Sequence, residues 1–190
     1  MKRLASLLFA LILILIRPNT SYATSVKIGI GINYYAVNDP LYKEIYGKGN
    51  FMWSGSLGFE VIRMIELRGE ANYYKANGEM TFTKEDLAFI MTPLILGIRW
   101  RVFERHRWSP YLGTGADFYF YEEKVPLRFE KVSESITGFH IEAGSYVRIR
   151  SGIFLDLNLR YVKADANLLE EHFKLGGYRM GIGIGYQFNL

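Results

Sequence analysis

Cysteine is absent from the 190 residues, which removes both disulfides and the cysteine of a lipoprotein cleavage site. The longest apolar run, Leu4 to Ile16, is about thirteen residues, short of the roughly 20 that a membrane-spanning helix needs. No stretch of useful length carries helical periodicity. Excess charge of one sign is also missing once the first residues are set aside. Met1-Lys2-Arg3 precedes the apolar run, Arg17-Pro18-Asn19-Thr20 breaks it, and Ser21-Tyr22-Ala23 ends in small residues. This is the layout of an export signal, with cleavage expected after Ala23. A retained anchor is the weaker reading. Lys2, Arg3 and Arg17 leave with residues 1–23, so 23 basic side chains become 20 against 19 acidic ones. The basic isoelectric point therefore gives no case for nucleic-acid binding. Residues 24–190 are one domain's worth of chain.

What the mature chain has instead is alternation. From Tyr178 to Leu190 every second residue is apolar, and the residues between are Arg179, Gly181, Gly183, Gly185, Gln187 and Asn189. Period two over thirteen residues is a strand with one apolar face. Similar runs predict strands over 26–37, 51–61, 65–74, 88–102, 110–121, 136–147, 153–163 and 177–189. The connections alternate as well: long ones at 38–50, 75–87, 122–135 and 164–176, short ones around Arg63, Glu104–Ser109 and Arg148–Gly152. Long outer loops and short periplasmic turns are the topology of a transmembrane barrel. The expected fold is all-β: an eight-stranded antiparallel up-and-down transmembrane β-barrel.

Alternation alone leaves open a soluble, lipocalin-like barrel with its apolar face inward. Three features favour the inverted arrangement. Glycine crowds the polar face at 29, 31, 113, 115, 181, 183 and 185, where it makes room inside a narrow barrel. Both charge signs share that face, as in Glu66, Arg68 and Glu70, and enclosed charges must pair. Aromatics gather near strand ends, among them Tyr34, Trp53, Tyr73, Trp100, Phe118 and Phe188, as lipid–water interfaces favour.

Thr92-Pro93-Leu94-Ile95-Leu96-Gly97-Ile98-Arg99-Trp100 resembles the fourth strand of small outer-membrane barrels of the OmpA, OmpX and opacity-protein type. Trp108-Ser109-Pro110-Tyr111-Leu112-Gly113-Thr114-Gly115-Ala116 resembles their fifth. The C-terminal Gly185, Phe188 and Leu190 resemble the signal read by the outer-membrane assembly machinery, with two departures: glycine at 183 and leucine in place of a final aromatic. The resemblance implies outer-membrane localisation and contact with membrane lipid and lipopolysaccharide; no appended peptidoglycan-binding domain is expected, because the sequence ends with the last expected strand. It says little about activity, because one frame hosts many functions.

The candidate site is the luminal set Lys27, Glu60, Glu66, Arg68, Glu70, Arg99, Arg101, Asp117, His140, Glu142, Asp156, Arg160 and Arg179. It reads as a plug of paired charges, or alternatively as a polar conduit for small solutes or ions. Glu66 and Glu70 flank Arg68 on one face, which predicts Arg68 at the centre. His140 and Glu142, one pleat apart, predict a luminal hydrogen-bonded pair. Lipid A deacylase barrels keep a serine two residues after their histidine; here that position is Glu142, so a catalytic row fails at the nucleophile. Two ligands do not define a metal site, and no cofactor is expected. Alternation from Lys124 to Val132 predicts that the hairpin of strands five and six protrudes. Such an edge in an OmpX-like protein implies pairing with a partner's strand. The expected function is a monomeric, non-enzymatic structural or surface-interaction protein. The alternatives are a narrow pore and, less favoured, a lipid-modifying enzyme.

Overall fold

A computed structural model describes residues 25–79, 86–103, 107–125, 130–168 and 171–189. The expected signal peptide lies outside these residues. The strands are β1 (Ser25–Val37), β2 (Asn50–Ile62), β3 (Ile65–Glu79), β4 (Asp86–Arg101), β5 (Trp108–Val125), β6 (Glu130–Arg150) and β7 (Ile153–Lys163). Two short strands, β8 (Asp165–Leu168) and β9 (Glu171–Lys174), precede β10 (Gly177–Asn189). β1 to β7 and β10 form one closed antiparallel barrel. The seam is β1 against β10, in register from Ser25↔Asn189 to Val37↔Gly177. Closure gives each strand a partner on both sides, as a bilayer demands of backbone amides.

The barrel is inside out relative to a soluble one. Ile30, Trp53 and Met180 are each about two-thirds exposed on the outer wall, whereas Arg99 and Asp117 are fully enclosed. In water such a wall would be unfavourable across its whole height. It is stable only against lipid, and the lipocalin-like arrangement is excluded. The aromatics near strand ends, including Trp53, Tyr73, Trp100 and Phe188, are all on the outer wall.

Two periplasmic hairpins turn alike. β2 and β3 are joined by Arg63-Met64, and β6 and β7 by Ser151-Gly152; each has a register shift just before the turn. The second turn residue is left-handed in both, with φ 73° at Met64 and 78° at Gly152. Glycine takes that conformation without a Cβ penalty. Met64→Gly is therefore expected to stabilise the barrel by about 0.5–1 kcal/mol, read as a higher urea midpoint. An unchanged or lower midpoint would mean that the methionine side chain contributes more than its backbone costs.

The outer end departs from the sequence reading. Segment 75–87 is largely not a loop: β3 and β4 continue pairing to Glu79↔Asp86. Segment 122–135 is likewise mostly ladder, to Val125↔Glu130, so the hairpin does protrude. Polar residues continue the alternation there, and a reading keyed to apolar residues stopped too early. Segment 38–50 contains a short helix, α1 (Pro40–Tyr46). Asp39 caps it, with Oδ1 accepting from the Tyr42 amide at 2.9 Å, and proline occupies the first turn. Segment 164–176 holds the β8–β9 hairpin.

Candidate functional site: the charged lumen

Strand alternation points one residue in two at the barrel axis, and all thirteen residues of the predicted set reach the lumen. Six are cationic and six are carboxylates, with His140 the thirteenth. Twelve of the thirteen are buried, and the Arg68 side chain is 9% exposed. The charges are stacked in levels. Nearest the periplasm, Arg101 pairs with Glu60, which also accepts from Ser25 Oγ at 2.9 Å. Above them Lys27 bonds Glu66 at 2.8 Å.

The centre belongs to Arg99, not to Arg68. Its Nε and Nη2 donate to both oxygens of Glu142 at 2.6 and 3.0 Å. Its Nη1 donates to Asp156 at 2.9 Å and to the Tyr146 hydroxyl at 2.6 Å. The guanidinium lies over the Tyr111 ring, 4.1 Å from its centroid. Tyr146 passes the chain on by donating to Glu66 at 2.6 Å. Arg68 donates to Asp156 at 3.0 Å and lies 3.9 and 3.6 Å from Glu66 and Glu70. Its best partner is thus across the barrel on β7 rather than on its own strand. Glu70 is held instead by Arg179 and, at 3.4 Å, by Arg160; the latter reaches Glu142 at 2.8 Å.

His140 and Glu142 do not pair. His140 Nδ1 bonds Asp117 at 2.5 Å, and Tyr119 donates to the same carboxylate at 3.1 Å. His140 Nε2 has no partner among the described residues. Among the described residues no His, Asp and Glu cluster has the makings of a metal site.

The luminal glycines are seats for these large side chains. Gly115 lies opposite His140, Gly113 opposite Glu142, Gly144 opposite Tyr111, Gly181 opposite Asn33 and Gly185 opposite Phe154. A Cβ on Gly113 would stand 2.7 Å from Glu142 Oε1, and one on Gly115 2.7 Å from His140 Cε1. Each large group leans over the strand beside it, and only hydrogen fits beneath. Where small residues are not covered, a recess remains, lined by Gly29, Gly31, Ser54, Ser56 and Gly183 beside Arg68 and Asp156.

A second layer escaped the sequence reading. Above the charges Tyr35, Tyr74, Met91, Tyr119 and Tyr121 fill the lumen, and Tyr42 and Tyr46 of α1 pack on Phe89 from the outer side. Tyr42 and Tyr74 share a hydroxyl hydrogen bond of 2.7 Å. Burial and neighbouring phenols raise the Tyr42 hydroxyl above its ordinary range, so it remains protonated at neutral pH. The signal was in the parity: Tyr35 follows Asn33, Tyr74 follows Asn72, and Tyr119 and Tyr121 follow Asp117 on the luminal face. At the other end Gly185 and Phe188 lie on β10, with Phe188 on the lipid face. Leu190 lies outside the described residues.

Residues 5–188 match the family described as outer membrane protein beta-barrel domain. No curated protein matches the chain. Among solved structures, the fold is similar to OprG of Pseudomonas aeruginosa, with 12% identity, TM-score 0.66, and coverage of 89% of this chain and 98% of that one. Neisserial surface protein A is similar at 14% identity and TM-score 0.62, covering 87% and 97%. So is Ail, the attachment invasion locus protein of Yersinia pestis, at 18% identity and TM-score 0.59, covering 87% and 99%.

Proposed function

The chain belongs to the outer membrane β-barrel family and resides in the outer membrane, and from that premise we propose a closed, monomeric, non-enzymatic barrel with a structural and surface-interaction role. The observation that carries this reading is the lumen. Six cations and six carboxylates span it from Arg101–Glu60 to Arg179–Glu70, with a layer of tyrosines and the helix α1 above. Removing water from paired charges is tolerable only where each finds partners, and then the pairs hold the wall in register. An ion entering would have to separate them. The non-enzymatic reading rests on the same row: His140 bonds Asp117, and Glu142 is held by Arg99 and Arg160, which leaves no nucleophile there.

The surface role rests on the outer end. From 130 to 137, β6 pairs with β5, and among the described strands none pairs with its other edge. That free edge suits addition of a partner's strand. The segments 38–50, 75–87, 122–135 and 164–176 supply the remaining contact surface, and lipid and lipopolysaccharide surround the wall. Gly185, Phe188 and Leu190 serve as the signal for the assembly machinery.

Reconstitution into planar bilayers in molar potassium chloride tests the closed lumen. The expected result is no unitary conductance steps from the wild-type barrel. Steps whose size scales with salt would overturn the plug and favour the second reading, a narrow pore along the Gly29–Gly31–Ser54–Ser56 recess.

A further inference from the structure

The charges of the mature chain are sorted by height. Six basic and six acidic side chains belong to the lumen. By sequence, the three periplasmic connections hold Arg63, Arg105, Arg107, Arg148 and Arg150 against a single glutamate, Glu104. By sequence, the outer connections and the strand ends that flank them hold the remaining nine basic and twelve acidic side chains. The lumen is thus balanced, the outer end slightly acidic, and the periplasmic rim distinctly basic.

Folding concentrates part of that rim. The Arg148 amide donates to the Arg107 carbonyl at 2.8 Å, which ties the turn before β5 to the end of β6. The register shift between Arg148 and Arg150 falls at the same place. Arg107, Arg148 and Arg150 are all exposed. Trp108 and Ile149, each more than half exposed, continue the patch onto the lipid-facing wall. Arg148 belongs instead to the luminal mouth, where it lines a recess with Lys27, Arg101 and Gln187.

We propose that Arg107 and Arg150, with Trp108 and Ile149 beneath them, form a binding site for the headgroup of an anionic phospholipid in the periplasmic leaflet. Guanidinium groups match the geometry of phosphate oxygens. An indole is at home at the headgroup level, and the isoleucine faces the first acyl carbons. Continuity with the apolar wall distinguishes this patch from a docking surface for a soluble acidic protein, which would stand clear of the bilayer.

The test is native mass spectrometry of the full mature barrel, titrated with phosphatidylglycerol or with phosphatidylethanolamine of the same acyl chains. Phosphatidylglycerol is expected to be retained at least fivefold more strongly. Each arginine near an anionic surface accounts for about a fivefold change in partition. The combined Arg107→Gln and Arg150→Gln variant is therefore expected to abolish the preference, and Arg63→Gln, in the other hairpin, to leave it intact. Arg150→Glu alone, which alters one exposed side chain, should reduce it measurably even if the double variant assembles poorly. Equal retention of the two lipids by the wild type would overturn the site, as would an undiminished preference in Arg150→Glu. Displacement of bound phosphatidylglycerol by equimolar polyglutamate would overturn the lipid assignment in favour of an acidic protein partner.

Discussion

Replacing Arg99 with alanine is expected to destabilise the barrel by about 3–5 kcal/mol, the usual cost of removing one partner from a buried ionic network. Arg99 is fully enclosed and makes four charge-assisted hydrogen bonds to Glu142, Asp156 and Tyr146. Its loss leaves six carboxylates facing five cations in a lumen with little water to compensate. Arg99→Lys is expected to recover only part of the loss. A compact ammonium cannot grip both Glu142 oxygens, reach Asp156 and lie over Tyr111 at once. Arg68→Ala should cost less than half as much. Arg68 borders the uncovered recess, and each of its carboxylates has another cation: Lys27 for Glu66, Arg179 for Glu70, Arg99 for Asp156. Urea unfolding in lipid vesicles, followed by gel mobility without boiling, would rank the three variants. If Arg68→Ala proved the more damaging, the hub would lie on β3 after all.

Strand parity was enough to select all thirteen luminal residues, because the side-chain period of a strand is two whatever its neighbours are. Pairing was a different matter. Glu66, Arg68 and Glu70 are adjacent on one face, yet residues two apart on a strand stand roughly 7 Å apart. An eight-stranded barrel is just wide enough for its side chains to fill, so the long Arg68 side chain reaches across the lumen to Asp156 on β7. His140 and Glu142 stand equally far apart on β6, and each bonds a residue of another strand, Asp117 on β5 and Arg99 on β4. The helix α1 starts at Asp39-Pro40, a cap followed by a first-turn proline; the same two residues end the apolar alternation of β1, and seven residues are too few for a helical period to stand out. The tyrosine layer needed only the parity to be carried further outward. The glycines were recognised as space, while the group each one accommodates depended on the cross-strand register.

Gly115 shows what that register demands. It faces Gly97 on β4 and His140 on β6, so three adjacent strands meet at one level with a single imidazole above two glycines. A Cβ at 115 would press on the Leu96 carbonyl oxygen and lie 2.6 Å from Gly97 Cα and 2.7 Å from His140 Cε1. Two of these neighbours are backbone and cannot swing aside. Overpacking of a tight interior typically costs 1–3 kcal/mol and occasionally more, and here the strand spacing itself must widen. Gly115→Ala is therefore expected to lose about 3 kcal/mol or more, and Gly115→Val to yield no species with the compact mobility of a folded barrel. Gly55, on β2 three strands away, has nothing within 4 Å of an added Cβ and is exposed on the lipid-facing side. Gly55→Ala should leave the urea midpoint where it is. Removing the ring, as in His140→Ala, should rescue Gly115→Ala only in small part, since the backbone contacts persist. A full rescue would mean that the imidazole alone sets the space at this level, and that the glycine pair is incidental.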